Sequence, residues 1–299
     1  MVEKKTSHVF IHIVFILISI CCVVPFFYIV AASLSDETLL KQFGYGLIPR
    51  GFSLDAYKHI FEAPKAILNA YGVSIFITVI GTVISLLLTT MLAYVMTRKD
   101  FKGSRIISFA VFFALMFNAG MVPTYIAVVR WYHLRDNIFA LILPYLIIPW
   151  HVFLMKSFLA DIPFTLIEAA RIDGAGELRT FFQIVVPLAK PALATVGLFT
   201  AFTYWNDWYL SMLYVENQSL ISLQYYMYRI MNNISFLSQS MFTVGIDLSK
   251  LPSETTRMAM CVLAAGPMLI VFPFFQKYFV KGMTCLLYTS PSPRDSTSS

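Results

Sequence analysis

Runs of apolar residues separated by short polar segments make up most of the chain. Six runs reach the roughly 20 residues that an α-helix needs to cross the hydrocarbon core of a bilayer. They cover residues 9–33, 66–97, 106–129, 137–159, 191–215 and 258–279. Each run is much longer than a strand of a membrane β-barrel, so the pattern favours helices. It predicts an all-α integral membrane protein with six transmembrane helices.

Composition and charge also indicate a membrane location. Of the 299 residues, 58% are hydrophobic and 13% are charged, against roughly 25% charged residues in an average globular protein. The net charge of +6 comes from bases at the ends of the apolar runs, where lysine and arginine anchor helices at a membrane surface. No basic cluster is dense enough to indicate nucleic-acid binding, so the lipid bilayer is the expected partner. Lys4 and Lys5 precede a first run that is too long for a signal peptide, and this run is predicted to stay as a helix.

The basic residues of the short loops predict the orientation of the helices. With six spans, three basic places lie on one side of the membrane, and bases gather on the cytoplasmic side. These places contain Lys4 and Lys5, then Arg98, Lys99, Lys102 and Arg105, and finally Lys277 and Lys281. Both termini are therefore predicted to be cytoplasmic, and segments 34–65, 130–136 and 216–257 to be external. Segment 216–257 is long and polar, so it is either a docking surface for an external protein or an ordinary loop with an interfacial helix.

A structured loop, residues 161–190, separates the fourth and fifth runs on the predicted cytoplasmic side. Pro163 opens a stretch of helix-forming composition, and Gly174 and Gly176 end it. A second short amphipathic helix follows, with Phe181, Ile184 and Val185 on its apolar side and with Pro187 and Pro191 at its end. The pattern predicts two helices and a glycine turn along the membrane face. Two interfacial helices that rest in the lipid headgroups are the alternative.

The same loop carries a family motif. Glu168, Ala169 and Ala170 are followed at fixed intervals by Gly174, Ile184 and Pro187. This spacing resembles the EAA loop in the membrane subunits of binding-protein-dependent ABC importers, except that Val186 stands where the family has leucine. The stretches NAGMVPTYIAV, NIFALILPYLI, YWNDWYLSMLY and YFVKGMT extend the resemblance over residues 1–284, to maltose-type carbohydrate permeases and their branch for complex oligosaccharides.

The resemblance implies a type I ABC importer permease fold with a cytoplasmic coupling helix, formed by a six-span domain of residues 1–284. It implies that this subunit moves a sugar or oligosaccharide across the bacterial cytoplasmic membrane. The residues implied to couple it to a separate ATPase are Glu168, Ala169, Ala170, Gly174, Ile184 and Pro187. The implied partners are a second, homologous permease in a heterodimer, two ATPase copies and an extracytoplasmic solute-binding protein.

Other functions are less well supported by the sequence. The chain lacks the G-x-x-x-x-G-K-[ST] phosphate-binding motif and the H-E-x-x-H and G-x-S-x-G motifs of hydrolases. We therefore expect a non-catalytic transport subunit without a cofactor, with ATP hydrolysis on a partner chain. An ABC permease for a peptide or a phosphodiester is the main alternative. A secondary transporter or channel and an intramembrane hydrolase are less consistent with the sequence, because coupling-ion sites and a nucleophile–base pair are not recognisable in it.

Polar and aromatic residues within the apolar runs are candidates for a substrate pathway. Asp207 is the clear intramembrane charge, and such a residue is either functional or a hydrogen-bonded structural acid. Hydroxyls, amides and aromatic faces suit a neutral polyhydroxylated solute better than an ion, although they also pack between helices. The predicted pathway residues are Trp150, His151, Tyr204, Trp205, Asn206 and Asp207.

Two further features of the sequence contribute no site. The four cysteines, Cys21, Cys22, Cys261 and Cys285, have no metal-ligand spacing, so no metal site is expected. Residues 285–299 are rich in serine and proline and are predicted to be a disordered, non-native-looking tail.

Overall fold

The computed structural model describes residues 2–62, 64–98, 100–117, 119–244 and 254–288, and these are almost entirely helical. Their one β-bridge joins Ser35 to Phe52, and no strand is formed within the described ranges. The all-α prediction is therefore confirmed. Asn118, a polar residue of the third apolar run, and residues 289–299 of the predicted tail lie outside the described residues.

Three helices are long and apolar enough to cross a membrane unaided. They are α1 (Val2–Ser33), α4 (Pro64–Thr97) and α14 (Glu254–Tyr288), with candidate spans at Ile11–Ser33, Pro64–Thr97 and Glu254–Pro273. They match the first, second and sixth predicted spans. Because α14 continues to Tyr288, the first four residues of the predicted tail are helical.

The other three predicted spans are each interrupted and consist of more than one helix. The third run consists of α5 (Ser104–Met116), α6 (Met121–Ile126) and a π-helical turn at Ala127–Trp131. Gly120 precedes α6 with φ +84°, a conformation that ends a right-handed helix and that glycine adopts without strain. The break leaves the apolar composition of the run unchanged.

Prolines mark the break in the fourth run. Two 3-10 turns, Ile138–Leu141 and Leu143–Tyr145, lead into α7 (Pro149–Ala160) with a bend of 49°. Pro144 and Pro149 have no backbone N–H to donate to the preceding turn, which favours a break in the helix. In the fifth run, α11 (Lys190–Trp205) and α12 (Tyr209–Tyr214) are separate helices. Three bent helix pairs raise the count among the described helices to as many as six spans, by length and composition, if each pair is one span. They are Ser104–Met116 with Met121–Trp131, Ile138–Tyr145 with Pro149–Ala160, and the loop run Glu177–Leu188 with Lys190–Trp205.

Shorter helices connect these elements. They are α2 (Glu37–Phe43), α3 (Asp55–Ile60), α8 (Phe164–Ile172), α9 (Glu177–Thr180), α10 (Val186–Leu188) and α13 (Leu223–Val244). The chain divides into two compact units, one of Met1–Leu68 with Tyr226–Pro267 and one of Asn69–Tyr225 with Met268–Ser299.

A buried carboxylate organises the first unit. Glu37, at the start of α2, accepts hydrogen bonds from the backbone N–H groups of Glu254 (3.1 Å) and Thr255 (2.9 Å) and from the Thr255 hydroxyl (2.7 Å). It thereby caps the first turn of α14, where a negative charge is favourable. Lys41 adds an ion pair at 3.0 Å. This contact joins residues far apart in the sequence, and no sequence pattern predicted it.

The second unit has its buried core where α4, α5, α7 and α11 meet the loop helices. The core side chains include Met96, Val152, Met155, Phe181 and Val196. Gly81 of α4 lies against the ring of Tyr204 on α11, and a Cβ there would stand 2.6 Å from the ring. Glycine is therefore required at position 81 for this packing.

Candidate functional site

The loop between α7 and α11 is the candidate site, and its first helix ends in a glycine turn. At the end of α8, two residues that follow the helix bond back to its last turn. The N–H of Ala175 donates to the carbonyl of Ala170 (2.9 Å), and the N–H of Gly174 donates to the carbonyl of Arg171 (3.0 Å). These bonds and the φ of +78° at Gly174 form a Schellman cap, which glycine favours. The predicted helix and its glycine stop are thus present, within one residue of the expected ends.

The two faces of α8 have different environments. Ile167 and Ala170 are buried against the protein, whereas Glu168 and Ala169 are exposed. Ala170 therefore packs internally in this structure, and its small side chain does not lie on the open face beside Ala169. Exposed apolar side chains, among them Ile172 at 87% exposure, flank Glu168 on the helix surface.

The second half of the loop is a bent helical run. It starts with α9, passes through a π-helical turn at Phe181–Val185 and ends with α10. Phe181 and Val185 are buried in the core, Ile184 is partly buried and Pro187 is exposed. The run Glu177–Leu188 meets α11 at 83°. Ile184 and Pro187 therefore belong to this bend and are not part of the exposed face of α8.

A buried arginine ties the loop to α4. Arg98, which follows the last residue of α4, is 5% exposed and donates to both carboxylate oxygens of Asp100 at 2.9 and 2.8 Å. It also donates to both oxygens of Glu177, in the first turn of α9, at 2.8 and 3.0 Å. Tyr94 lies one helical turn earlier and donates its hydroxyl to Glu177 at 3.0 Å. Two-point bonds of this kind fix direction as well as distance, because the guanidinium is planar and rigid.

Arg171 of α8 completes this Arg98 cluster, which consists of Tyr94, Arg98, Asp100, Arg171 and Glu177. It donates to Asp100 at 2.5 Å and to Glu177 at 2.8 Å. Two guanidinium groups thus face two carboxylates, and the cluster is electrically neutral. An apolar cavity of about 450 Å³ opens beside it.

The ionisation of the cluster is stable over a wide pH range. Hydrogen bonds from Arg98, and then from Arg171, hold the pKa of Asp100 well below its usual value. The pKa of Glu177 is lowered, first by Arg171 and also by Arg98. The same contacts, led by the hydrogen bond to Asp100, raise the pKa of Arg98. All four charges therefore persist at physiological pH.

Sequence reasoning missed most of this cluster. Arg98 was used only as a topology signal, and Tyr94, Asp100 and Glu177 were not singled out. Arg98 and Glu177 are 79 residues apart, and no spacing rule pairs such residues. The signal in the sequence was a run of charged residues at the end of an apolar segment. Such a run is also expected wherever a helix leaves the membrane, so it does not by itself predict an ion-pair cluster.

The predicted pathway residues are divided between buried and exposed positions. His151 and Tyr204 are buried: Nδ1 of His151 lies 3.2 Å from the Thr200 hydroxyl, and Tyr204 donates to the carbonyl of Ile142 at 2.9 Å. Trp205 is buried as well, whereas Trp150 and Asn206 are exposed. The six residues therefore do not share one exposed surface in this structure.

Asp207 lies at the break between α11 and α12. It accepts hydrogen bonds from the Tyr145 hydroxyl (2.8 Å) and from the backbone N–H of Leu210 (3.1 Å), in the first turn of α12. The ring of Tyr145 also packs edge-on against Tyr204, with 5.8 Å between the centroids. Tyr145, which sequence reasoning did not select, therefore links two of the predicted pathway residues.

Comparisons with known proteins identify the family. Residues 103–284, which include the whole loop, match the family described as binding-protein-dependent transport system inner membrane component. The chain belongs to this family. As such a component, the permease is a multi-pass protein of the cytoplasmic membrane. The resemblance read from the EAA loop is thereby confirmed.

Two relatives and one solved structure match the permease over most of its length. It is 40% identical over 269 residues to the polygalacturonan/rhamnogalacturonan transport system permease protein YtcP of Bacillus subtilis, covering 89% of this chain and 92% of that one. It is 28% identical over 279 residues to the arabinooligosaccharides transport system permease protein AraQ of the same organism, covering 90% and 92%. A chain in the crystal structure of a bacterial ABC transporter involved in the import of the acidic polysaccharide alginate superposes with a TM-score of 0.78, at 28% identity and with 93% and 98% coverage. The ABC importer permease fold is therefore established.

Proposed function

We propose that the permease is the membrane subunit of an ATP-driven importer for a sugar or oligosaccharide, coupled to a separate ATPase through α8. The observation that carries the proposal is the asymmetry of the loop. One face of α8 exposes Glu168 and Ala169, and the other buries Ile167 and Ala170. Arg171, which is exposed, joins the helix to the Arg98 cluster at the end of α4 through Asp100 and Glu177. A helix that is open on one side and fixed on the other can receive a partner and pass on its movement.

The names of the relatives support a carbohydrate substrate. They refer to transport of polygalacturonan or rhamnogalacturonan and of arabinooligosaccharides, and the superposed chain comes from an alginate importer. These substrates are all sugar polymers or oligomers. A peptide or phosphodiester substrate, the earlier alternative, has no comparable support among these relatives.

The proposed partners are a second permease, a pair of ATPases and an extracytoplasmic solute-binding protein. The family's dependence on a binding protein supports the last of these. We further propose six spans with both termini in the cytoplasm, because the short basic loops fit that orientation. Reporter fusions after Arg105 and after Leu178 should both report a cytoplasmic location, and an external location at either site would contradict this topology.

Variants of Glu168 and Gly174 test the coupling proposal. Glu168→Lys reverses an exposed charge on the open face, so we expect oligosaccharide uptake to be lost while the protein stays in the membrane. Gly174→Val should also abolish uptake because φ is +78° there, whereas Gly174→Asn should keep much of it, since asparagine tolerates this conformation. Among the described residues, apart from the two chain neighbours, no atom lies within 4 Å of a Cβ at position 174, so a clash does not account for the difference.

The control for charge reversal is Glu62→Lys, at an exposed residue outside the loop. It should leave uptake unchanged. If Glu168→Lys and Gly174→Val both transport normally, α8 does not couple the permease to an ATPase.

The substrate pathway stays a proposal that rests on the aromatic and polar character of its residues. We propose that Trp150, His151, Tyr204, Trp205, Asn206 and Asp207 contribute to it, with Tyr145 positioning Asp207. Alanine at each of the six should reduce uptake when the sugar is limiting. Unchanged uptake in all of them would show that these side chains serve packing alone.

A further inference from the structure

The loop between α4 and α5 forms a basic cavity that the transport function does not use. This basic cavity has a volume of about 720 Å³ and is bordered by the cations Lys102, Arg105 and Lys156. Lys102 and Arg105 are exposed, whereas Lys156 is partly buried on α7, one helical turn before its end. No carboxylate is among the described residues that line the cavity.

The three cations have no carboxylate partner within the part of the chain that the structure describes. No ion pair involves Lys102, Arg105 or Lys156 there, and the ammonium of Lys156 contacts only the Ser108 hydroxyl (3.3 Å) and the Phe153 ring (5.8 Å to the centroid). Arg98 also borders the cavity, but Asp100 and Glu177 neutralise its charge. The cavity thus has a net charge of about +3, and an anion would be stabilised within it.

Its other polar groups suit a phosphate. Ser108 lines the cavity with a hydroxyl, whereas the Ser104 hydroxyl donates to the carbonyl of Met96 at 2.9 Å. Ser104 is the first residue of α5, a helix of 13 residues. The first turn of a helix presents backbone N–H groups and the positive end of the helix dipole to an anion. Three cations, the Ser108 hydroxyl and a helix start therefore border one cavity.

An apolar stripe extends from the cavity along α5. Ile106 lines the cavity, and Ile106, Phe109, Phe113 and Met116 are all more than half exposed, at the spacing of one helix face. A helix in a membrane places such a stripe against hydrocarbon. The cations therefore lie where the hydrocarbon ends, which is the level of a phospholipid headgroup.

We propose that the basic cavity binds the headgroup of an anionic phospholipid, with the acyl chains along the exposed stripe of α5. The lipid supplies the negative charge that the three cations lack within the described chain. The stripe distinguishes a lipid from a free phosphate, because a soluble anion would use the cations and leave the apolar surface uncovered.

The test compares lipids retained by the purified full-length permease. The protein is exchanged into equal amounts of phosphatidylglycerol and phosphatidylcholine with identical acyl chains, and the bound lipids are counted by native mass spectrometry. We expect phosphatidylglycerol to be enriched on the wild type. The triple variant Lys102→Gln/Arg105→Gln/Lys156→Gln should lose about tenfold or more of this enrichment, because each basic residue near the membrane surface adds to the attraction.

The matched control removes the same charge elsewhere. Lys58→Gln/Lys65→Gln/Arg130→Gln also replaces two lysines and one arginine, all exposed, and should keep the enrichment. If the triple variant fails to fold, the double variant Lys102→Gln/Arg105→Gln changes exposed side chains only and should still lower the enrichment several-fold.

Four results would overturn the proposal. They are no enrichment on the wild type, equal enrichment on the cavity variant, an equal loss on the control, and displacement of the lipid by glycerol phosphate at the same concentration. Enrichment that persists in the cavity variant while a copurifying ATPase is lost would assign the cations to a protein partner instead.

Discussion

Arg98 is a positive charge that is removed from water and depends on two carboxylates. A buried charge that loses its partner is costly, whereas an exposed pair contributes little. Arg98 is 5% exposed, but Glu177 is about half exposed. The ion pair between them therefore contributes less to the free energy of unfolding than a fully buried pair would. The cluster also joins α8, α9 and the end of α4, which makes Arg98 a candidate for transmitting movement as well as a stabilising residue.

Substitution of Arg98 tests both roles. Arg98→Gln leaves Asp100 and Glu177 without the shared guanidinium, and we expect the free energy of unfolding to fall by about 2 kcal/mol. Arg98→Lys keeps the charge but cannot form the two-point bonds, so it should restore stability more than transport. The deciding measurement is sugar transported per ATP hydrolysed, in the transporter assembled with its ATPase.

The matched control is Arg179→Gln, on the same loop, where the exposed arginine contacts only Gln183 at 2.9 Å among the described partners. It should change neither stability nor coupling. Arg98 is purely structural if Arg98→Lys lowers the melting temperature but leaves the ratio of transport to hydrolysis unchanged.

Residues within one local motif could be predicted from sequence, and residues joined across the fold could not. Glu168 and Gly174 could be predicted because a helix and its C-cap depend on a few consecutive residues. The φ of +78° at Gly174 agrees with that motif. Asp100 and Glu177 became partners only when α4 and α9 met. Ala170 looked like Ala169 in the sequence, but the helix rotation directs it inward.

At the scale of helices, hydropathy located the apolar runs and missed their breaks. An average over 20 residues responds to composition, so it cannot detect the positive φ of Gly120 or the missing N–H groups of Pro144 and Pro149. The uninterrupted runs, α1, α4 and α14, agreed well with prediction. Two of the three broken runs, the fourth and the fifth, flank the loop and carry the predicted pathway residues.

The contact between α2 and α14 predicts a pH dependence of stability. Burial opposes ionisation of Glu37, but hydrogen bonds from Thr255 and from the backbone N–H of Glu254, together with Lys41, outweigh it and lower its pKa from 4.5 to about 2. The folded pKa lies below the unfolded one, so this stabilisation is complete above about pH 5 and is lost as the pH falls from about 4.5 to 2.

Glu37→Gln should therefore lower the melting temperature at pH 7 by several degrees, which corresponds to about 2 kcal/mol for charge-assisted hydrogen bonds. The difference from wild type should narrow as the pH falls below 4.5. Glu62→Gln, at an exposed carboxylate, is the control and should be neutral at both pH values. A difference that stays constant down to pH 3 would show that the charge of Glu37 is not the cause.

At the scale of the whole molecule, the described part of the chain contains one loop with the proposed coupling role and at most six spans. Importers of the resembled type use a pair of ATPases, so one such loop supplies one of two docking points. Gly120 and Ser211 are small residues of the kind that suit close contacts with a second permease. Ser211, however, is buried and accepts a hydrogen bond from the N–H of Ser222 at 3.2 Å. It therefore serves the internal packing of this chain, and the exposed stretch of α6 after Gly120 is the better place to search for such contacts.

We predict that the permease pairs with a different, homologous permease. The maltose-type resemblance favours such a heterodimer over two identical copies, with the pathway along the interface. The permease is expressed with its ATPase, first alone and then with the neighbouring permease gene product, and is purified through a tag on this chain. We expect one copy of each permease and two ATPases by native mass spectrometry, and oligosaccharide uptake only when both permeases are present. Full uptake with this permease and the ATPase alone would exclude the heterodimer, because one chain type would then supply both coupling loops.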